Sequence, residues 1–396
     1  MMRLRWLTAG ESHGPGLTAI LEGMPSGLRL DAAGVDAELT RRQAGYGRGG
    51  RMRIEQDAAQ FTAGVRHGRT LGSPIALHIP NLDHAHWAAI MAPFGAPPDP
   101  EQRAVTAPRP GHADLAGGTK HAATDLRDVL ERASARETAA RVAVGAVVRQ
   151  LLTIFGVEVA SHVRALGPVE AATSVPEDVE YAQLRSRAAA NDLACLDPKA
   201  HAAMVAAIDA ARADGDTLGG VVEVVCWGLP AGLGSHVHWD RKLDGRLAQA
   251  VMSIPAVKGV EIGTAFANAR ARGSAVHDPI VRDPAGRVHR SSNRAGGLEG
   301  GITNGEALIV RAAMKPLSTL MRPLPTVDVR SGAPARAAVE RSDVCAVPAC
   351  GVVAESMVAL VVADAWLEKF GGDTLDEIRA AHTRYLQEVA RWSGSS

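Results

Sequence analysis

The stretch Pro108–Arg141 constrains the fold most, because three kinds of sequence follow one another there. It begins as a loop rich in proline and glycine, continues into a helical pattern, and ends at a second helix start before the apolar, alanine-rich run Val142–Leu152. A run this apolar is buried, so its start is the mouth of a buried helix. The last fifteen residues of the stretch carry seven ionisable side chains: Arg127, Asp128, Glu131, Arg132, Arg136, Glu137 and Arg141. Arginines in this position predict an anion site.

The start of the second helix is predicted at Ser134. Ser134 and Glu137 have the spacing of a capping box, in which the serine hydroxyl accepts from the Glu137 amide and the glutamate reaches back. The first-turn amides then point outward with the positive end of the helix dipole, where Arg132 and Arg136 add full charges. A capped helix with its arginines in surface ion pairs is the alternative. An arginine and a histidine in the loop just upstream favour the anion site.

The charge balance limits the class of partner. Lys+Arg and Asp+Glu number 43 each, and a formal net charge of zero argues against wholesale binding of nucleic acid or of a membrane surface. We find no run of about 18 apolar residues and no secretory pattern, so a soluble chain is expected. The four cysteines are scattered without a CxxC pair. They indicate a reducing, cytoplasmic compartment without disulfides or a zinc ribbon.

Two pairs of histidines have the i, i+2 spacing at which neighbours on a strand share one face. They are His84 with His86 and His236 with His238. Neither pair has a third ligand at a clear spacing, so the sequence predicts no metal site.

Two glycine-rich loops near the N-terminus carry further candidate residues. His13 lies in Gly10–Gly14, where little side-chain bulk separates it from a ligand; a histidine that satisfies a turn hydrogen bond is the equal alternative. Arg41–Arg53 holds five arginines among glycines. It has the composition of an RGG-like nucleic-acid segment. A single copy in a neutral protein favours a mobile basic loop that closes over a small anionic ligand, with a solvated basic loop as the remaining alternative.

The hydrophobic pattern predicts strands and helices in a single large domain, residues 1–396, because no linker or tandem repeat interrupts it. Strands are predicted at Leu4–Thr8, Thr18–Glu22, Met52–Phe61, Ile75–Ile79, Val221–Gly228, Val257–Phe266 and Leu308–Met314. Helices are predicted from Asp31 to Thr40, across Pro168–Asp216, and at Asp240–Ser253, Val352–Lys369 and Leu375–Trp392, with Val344–Val353 as a loop. The glycine-rich Arg290–Gly301 matches neither a dinucleotide fingerprint nor a P-loop, so nothing predicts a Rossmann domain.

Eight motifs in order resemble those of the chorismate synthase family, over nearly the whole chain. They are GESHG (Gly10–Gly14), RRQAGYGRGGRM (Arg41–Met52), RPGHADLAG (Arg109–Gly117), ERASARETAARVA (Glu131–Ala143), PAVKGVEIG (Pro255–Gly263), NRAGGLEGG (Asn293–Gly301), MKPLST (Met314–Thr319) and RSDVCAVPA (Arg341–Ala349). Any one motif is weak, but eight in family order are highly specific. The resemblance implies an α+β fold, a β-α-β sandwich with an internal pseudo-repeat, assembled as a homotetramer.

The resemblance also implies the reaction. It is the 1,4-anti elimination of phosphate from 5-enolpyruvylshikimate 3-phosphate, which gives chorismate at the last common step of the shikimate pathway. The family requires reduced FMN although the reaction has no net redox change; the ring hydrogen leaves toward flavin N5. FAD and NADP are the other flavin and nicotinamide cofactors that we associate with the family. NADPH is an electron source for the flavin, and an external supply of reduced FMN is expected because no reductase-like segment is visible.

Roles for individual residues follow from the same resemblance. The implied catalytic residues are His13, which balances the reduced flavin, His112, which delivers a proton as phosphate leaves, and Asp343, which relays the proton from the flavin. The implied flavin-binding residues are Arg132, Ala133, Ser134, Pro255, Ala256, Gly300, Lys315, Pro316, Leu317, Ser318, Thr319 and Arg341. The family positions for the nicotinamide cofactor fall on Arg42 and Arg48, which are also suited to hold the anionic substrate.

Two positions depart from the family pattern. Pro255 stands where relatives commonly carry an amide side chain, so a side-chain contact to the flavin is lost there. Cys350 replaces a usual alanine, which we interpret as packing.

Two other functions remain open at this point: a flavin-independent phosphatase or phosphotransferase that uses the arginine cluster, and an RNA-binding protein that uses Arg41–Arg53.

Overall fold

The computed structural model describes residues 3–49, 56–95, 99, 101, 103–172, 179–284, 286, 288–340 and 342–393. These residues form two antiparallel sheets and a layer of helices that packs against both, so the chain is an α+β protein. One continuous apolar core joins the sheets to the helices.

The first sheet has four strands in the order β1-β2-β6-β3. Its strands are β1 (Arg5–Ala9), β2 (Gly16–Glu22), β3 (Gln60–Ala63) and β6 (Ile75–Pro80), and the hairpin of β4 (Val65–Arg66) and β5 (Arg69–Thr70) connects β3 to β6. Along β2, Leu17, Ala19 and Leu21 are buried, whereas Thr18 and Ile20 are exposed. This alternation is typical of a sheet with one face on the core.

The second sheet has five strands in the order β10-β15-β9-β7-β8. Its strands are β7 (Glu158–Leu166), β8 (Val169–Glu170), β9 (Gly220–Trp227), β10 (Val257–Ile262) and β15 (Leu308–Met314). Residues of β9 are buried on both faces, because Val222 and Val224 face the helix layer while Val225 packs in a second cluster with Leu184. The central strand of this sheet is therefore buried on both faces and apolar apart from Glu223.

The helices and the remaining hairpins complete the described chain. The helices are α1 (Ala32–Gln43), α2 (Asp114–His121), α3 (Arg127–Ala133), α4 (Thr138–Thr153), α5 (Tyr181–Ala189), α6 (Pro198–Ala213), α7 (Leu243–Met252), α8 (Ala265–Asn268), α9 (Gly273–Val276), α10 (Val347–Phe370) and α11 (Leu375–Ser393). The hairpins pair β11 (Ile280–Arg282) with β12 (Val288–Arg290), β13 (Leu298–Glu299) with β14 (Ile302–Thr303), and β16 (Pro325–Val327) with β17 (Pro334–Arg336).

Helices α4 and α10 form the centre of the helix layer. Helix α4 packs on β2 and β6 of the first sheet, α10 packs on β7 and β9 of the second, and the two helices pack on each other. They are in close contact at Gly145, where an added Cβ would lie 2.7 Å from the Cα of Ser356. The fold therefore has three layers, which are the first sheet, the pair of helices α4 and α10, and the second sheet.

A buried ion network ties α1 to this layer. Glu355 of α10 is fully buried and accepts hydrogen bonds from Arg41 at 2.8 Å and from Arg149 at 3.0 Å. Burial opposes the ionisation of Glu355, but the two guanidiniums outweigh it and hold its pKa below the usual value. The network anchors the C-terminal end of α1, from which the basic loop starts.

Most of the predicted elements are confirmed. Asp31 caps α1, since its side chain accepts from the amide of Ala33. The helix predicted between Asp197 and Gly215 is α6, and the strands at Ile75, Val221 and Leu308 begin within one residue of the prediction.

Five predictions are corrected. Val344–Val353 is not a loop, because Val347 already starts α10 and Pro348 occupies its first turn, where the missing amide hydrogen costs nothing. Pro168–Asp216 contains β8 besides two helices, and residues 173–178 lie outside the described part. The strand Met52–Phe61 is shorter: residues 52–55 are also outside that part, and β3 starts only at Gln60. The strand Val257–Phe266 is also shorter, because β10 ends at Ile262 and α8 begins at Ala265. His84 and His86 lie in a 3-10 turn, so the shared strand face considered for this pair does not apply.

The capping box is wrong in detail. The Ser134 hydroxyl accepts from the amide of Arg136 and starts a 3-10 turn at residues 135–137, after which α4 begins. Glu137 does not reach back to Ser134; its carboxylate pairs with Arg141 at 2.9 Å and accepts from Thr8. These two contacts outweigh the cap because the Arg141 pair neutralises the buried carboxylate of Glu137.

Within the described residues, only α10 is long and apolar enough to cross a membrane. Almost all of it is buried inside the protein, between the second sheet and α4. Such burial is typical of a core helix.

Candidate active site

A cavity of about 470 Å³ opens at one end of the helix layer. Its wall includes the loop after β1, the loop after α1, residues 109–113, the turn between α3 and α4, the loop between α7 and β10, the loop after β15, and the segment before α10 with the first two turns of that helix. The cavity therefore collects segments from nearly the whole length of the chain.

His13 is held on one side of this cavity. Its Nδ1 lies 2.8 Å from Oε1 of Glu131, and its amide donates to Oε2 of the same carboxylate at 2.8 Å. Arg127 donates to Oε1 of Glu131 at 3.0 Å, and the Trp87 ring stacks on the imidazole with centroids 3.8 Å apart. Burial raises the pKa of Glu131, but the contacts from His13 and Arg127 outweigh it and lower the pKa below its usual value. The histidine is therefore fixed beside an ionised carboxylate.

His112 is held in the same manner by another part of the chain. Its Nδ1 lies 2.6 Å from Oδ1 of Asp114, and Arg109 Nε donates to Oδ2 of Asp114 at 2.8 Å. Arg109 also donates to the hydroxyl of Thr319 at 2.9 Å, which joins this loop to the loop after β15. Burial raises the pKa of Asp114, but His112 and Arg109 lower it well below its usual range.

Asp57 joins two arginines of the cavity wall. Arg136 Nη1 lies 2.7 Å from its Oδ1, and Arg42 Nη1 lies 3.5 Å from its Oδ2. Arg42 further donates to the hydroxyl of Thr138 at 2.9 Å and to the carbonyl of Ala135 at 3.0 Å. Of the two arginines predicted at the helix mouth, Arg136 lines the cavity and Arg132 does not, and the second arginine on Asp57 is Arg42 from α1.

The loop after β15 supplies a lysine. Lys315 donates to the Ser318 hydroxyl at 2.8 Å, and Ser318 donates to the carbonyl of Gly111 at 2.8 Å, beside His112. Burial and the charge of Lys258 lower the pKa of Lys315. A partly buried cation of this kind binds an anion with little competition from water.

The lining residues fit a flat aromatic cofactor together with an anionic ligand. Five cationic side chains of the described residues line the cavity: Arg42, Arg48, Arg109, Arg136 and Lys315. Apolar side chains form another part of the wall: Leu130, Ile254, Met314, Leu317 and Val353. Pockets with mostly apolar walls and a few placed polar groups are typical of cofactor sites.

The cavity brings together most of the residues that the resemblance singled out. The lining includes His13, Arg42, Arg48, His112, Ala133, Ser134, Pro255, Ala256, Lys315, Leu317, Ser318, Thr319 and Asp343. Arg132, Pro316 and Gly300 do not line it. Arg132 is half-exposed and donates to the carbonyl of Thr8 at 2.9 Å, and Gly300 lies in the turn between β13 and β14. Arg341 lies outside the described residues.

Several residues at or behind the wall were not selected as site residues. Ser12, Glu131 and Asp114 lie inside the quoted motifs, and this membership was a usable signal, although the motifs do not show that Glu131 contacts His13. Asp57 carries no such signal, because it follows the basic loop in an unremarkable segment and its role depends on two distant arginines. Among the residues described, no three potential metal ligands cluster.

Comparisons with known proteins agree over nearly the whole chain. A family model described as chorismate synthase matches residues 4–367. The chorismate synthase of Moorella thermoacetica is 59% identical over 389 residues, covering 98% of this chain and 100% of that protein. The chorismate synthase of Thermus thermophilus is 57% identical over 387 residues, covering 98% and 99%. A crystal structure of chorismate synthase matches with a TM-score of 0.79 and 42% sequence identity, covering 98% of this chain and 99% of the other.

Proposed function

This chain belongs to the chorismate synthase family and is a lyase, and we propose that it converts 5-enolpyruvylshikimate 3-phosphate into chorismate by 1,4-anti elimination of phosphate, with reduced FMN as cofactor. One observation carries the proposal: two histidines, five cationic side chains and an apolar wall share one cavity. The substrate has a phosphate and two carboxylates, so its binding requires several cations. The flavin ring requires an apolar surface.

In this proposal the arginines bind and orient the substrate. Arg42 and Arg136 are held from behind by Asp57, so their orientation is set before the ligand arrives. Arg48 is held by Asp343 in the same way. We assign Arg42 and Arg48 to the substrate rather than to NADPH, because both guanidiniums lie inside the wall of the cavity.

We assign the proton steps to three side chains. His112 holds the proton that the leaving phosphate requires, in a loop whose Gly111 carbonyl is bonded to Ser318. His13 belongs to the other histidine–carboxylate pair, with Glu131, and holds a second proton there. The positive charge of this histidine balances the charge of the reduced cofactor. Asp343 accepts the proton that must leave the site. The chemistry that reduced FMN supplies when bound is transient electron donation without net redox change.

The flavin would be held by residues of the α3–α4 turn, the α7–β10 loop and the loop after β15. The cavity-lining members are Ala133, Ser134, Pro255, Ala256, Lys315, Leu317, Ser318 and Thr319. Arg132, Gly300, Pro316 and Arg341 remain predictions from the resemblance.

We further propose that reduced FMN is supplied by another source and that this protein does not itself reduce FMN. Purified protein mixed with NADPH and oxidised FMN should leave the flavin oxidised, and reduction of the flavin in that assay would contradict the proposal.

The decisive experiment is anaerobic. Purified protein is mixed with chemically reduced FMN and the enolpyruvyl substrate, and chorismate and phosphate are measured together. Equal amounts of both products are expected, with no product when reduced flavin is omitted. Phosphate without chorismate in the flavin-free mixture would instead identify a phosphatase, and absence of both products would end the proposal.

We also propose that the two halves of the fold are an internal pseudo-repeat. The strand order β1-β2-β6-β3 has the same chain pattern as β7-β9-β15-β10, with α1 and α7 after the second strand of each set and α4 and α10 after the last. A structural superposition of the two sets would test this. If the paired strands do not overlay in the same direction, the repeat is rejected.

We also propose that the protein forms a homotetramer and that it is located in the cytoplasm. The outer face of the first sheet exposes 68% of Leu7 and 43% of its cross-strand partner Ile20, and this apolar surface would be covered by a second copy in an assembly. All four cysteines are buried thiols, as suits a reducing compartment. Light scattering after size-exclusion chromatography should give four times the chain mass; a monomer mass would contradict the assembly.

A further inference from the structure

Both histidines of the cavity have the same surroundings. In each case Nδ1 contacts a buried carboxylate, and an arginine donates to that same carboxylate. The two sets are His13–Glu131–Arg127 and His112–Asp114–Arg109. The family resemblance assigns roles to the histidines only.

The carboxylates determine which ring nitrogen carries hydrogen. An ionised carboxylate only accepts hydrogen bonds. At 2.8 Å from Glu131 and 2.6 Å from Asp114, each Nδ1 must therefore be the donor. Arg109 Nη2 also lies 3.2 Å from Nδ1 of His112, but it donates to Asp114 at 3.1 Å and cannot supply the hydrogen of the shorter contact. Nε2 is then the nitrogen that exchanges a proton with a ligand: it accepts one in the neutral form and donates one in the imidazolium form.

We propose that Glu131 and Asp114 are positioning residues that fix His13 and His112 with Nδ1 protonated and Nε2 directed to the chemistry. The inference rests on the proposed function for its catalytic consequence, although the protonation pattern itself does not. Each carboxylate also supplies the negative charge that stabilises the imidazolium form, in which Nε2 can donate.

The charges around His13 support this assignment. Glu131 and Arg127 face it from α3, and the His84 ring contacts its carbonyl from the 3-10 turn at residues 82–86. Arg127 also contacts Glu340 at 3.1 Å, so its charge is shared between two carboxylates. The lowered pKa of Glu131 keeps this carboxylate ionised at neutral pH.

A glutamine cannot replace Glu131 without a conflict. Glu131 accepts from three donors: the His13 amide, His13 Nδ1 and Arg127. Glutamine has one acceptor oxygen and one donor nitrogen. If its nitrogen faces the ring, it meets two donors and favours hydrogen on Nε2 instead; if its nitrogen faces the backbone, it meets the His13 amide. Either orientation disturbs the ring while its volume is nearly unchanged.

The chain contains a matched control outside the cavity. His162 Nε2 lies 2.9 Å from Glu223, and Arg311 contacts the same carboxylate at 2.6 Å, on neighbouring strands of the second sheet. Glu223 is as buried as Glu131, at 2% exposure, but does not line the cavity. Glu223→Gln therefore breaks the same kind of contact without touching the site.

The first measurement needs no catalysis. Ring-15N histidine spectra of the wild-type protein should show Nδ1 as the protonated nitrogen for His13 and His112 in the neutral form. Glu131→Gln should change the His13 signals, and Glu223→Gln only those of His162. A neutral His13 and His112 with hydrogen on Nε2 would overturn the inference, even if the assay for chorismate succeeds.

The second measurement is the pH dependence of turnover. In Glu131→Gln the imidazolium loses its counter-charge, so we expect at least a tenfold lower kcat and a fall in activity that starts at a lower pH than in wild type. Glu223→Gln should keep the wild-type profile. If both variants keep that profile, Glu131 has only a structural role. If no variant and no wild-type protein forms chorismate, the proposed function fails, and the spectra still decide the protonation pattern.

Discussion

Arg48 Nη1 lies 2.8 Å from the carboxylate of Asp343, and this ion pair joins the basic loop after α1 to the segment before α10. The same carboxylate accepts from the amide of Gly49 at 2.6 Å. Asp343 therefore fixes both the backbone and the charge of the loop that faces the ligand. Its proposed part in moving a proton and its contact with the basic loop are two roles of one side chain.

Asp343→Asn should test the two roles together. The substitution keeps the side-chain volume but removes the charge that holds Arg48, so we expect at least a tenfold loss of kcat and an increase in KM for the substrate. Steady-state kinetics with reduced FMN measures both. Asp240→Asn is the control, because Asp240 forms an exposed pair with His238 away from the cavity. Wild-type kinetics in Asp343→Asn would remove this residue from the mechanism.

His13→Ala and His112→Ala should each reduce turnover roughly a hundredfold or more, as is typical when a general acid is lost. Folding should persist, because each ring occupies the cavity wall rather than the main core. Anaerobic turnover and circular dichroism provide the two measurements. Rates near that of the wild type in both variants would contradict the assignment of these histidines.

Gly145→Ala should destabilise the fold. The new Cβ would lie 2.7 Å from the Cα of Ser356, and both positions belong to core helices that cannot separate without exposing apolar surface. We expect a loss on the order of 2 kcal/mol in the free energy of unfolding. Urea denaturation measures it. Gly245 in α7 has room for a Cβ, so Gly245→Ala should leave the stability unchanged or increase it. If Gly145→Ala and Gly245→Ala change the free energy of unfolding equally, α4 and α10 adjust to the extra Cβ without cost.

Glu223 should contribute to stability against acid. Burial raises its pKa, but His162 and Arg311 outweigh this and lower the pKa from 4.5 to about 2. A lowered pKa in the folded state stabilises the fold fully above 4.5, and the contribution is lost as the pH falls from there toward 2. It is on the order of 3 kcal/mol.

Urea midpoints between pH 6 and pH 3.5 test this contribution. The wild-type midpoint should fall steeply below pH 4.5, and Glu223→Gln should lower the midpoint at pH 6 and flatten the fall. Glu388→Gln, at an exposed position in α11, should follow the wild type. A wild-type slope in Glu223→Gln would show that other groups carry the acid dependence.

Local pattern was sufficient for much of the fold. The cap by Asp31, the buried strand at Ile75 and the apolar helix ahead of Gly371 each depend on neighbours within one or two turns, and each is confirmed. The Ser134–Glu137 box failed because Glu137 has a stronger partner in Arg141 and a distant one in Thr8. The i,i+4 pair with Arg141 neutralises a buried charge, which the cap would not do.

The residues of the site were predictable from motifs, but their arrangement was not. His112 and Asp114 are two residues apart, so their contact was open to inference from spacing. The role of Asp57 was not open to such inference, because it depends on ion pairs with Arg42 and Arg136, which reach its carboxylate from distant parts of the chain.

By itself, the sequence determined the family and singled out two histidines that line one cavity, because glycine-flanked motifs and arginine clusters are local chemical signals. The tertiary structure decided which acids stand behind which histidines and arginines. Pairing of His13 with Glu131 requires that the loop after β1 and helix α3 meet, and this depends on how α4 packs between the sheets. Such contacts between distant segments depend on the whole core, so no local pattern specifies them.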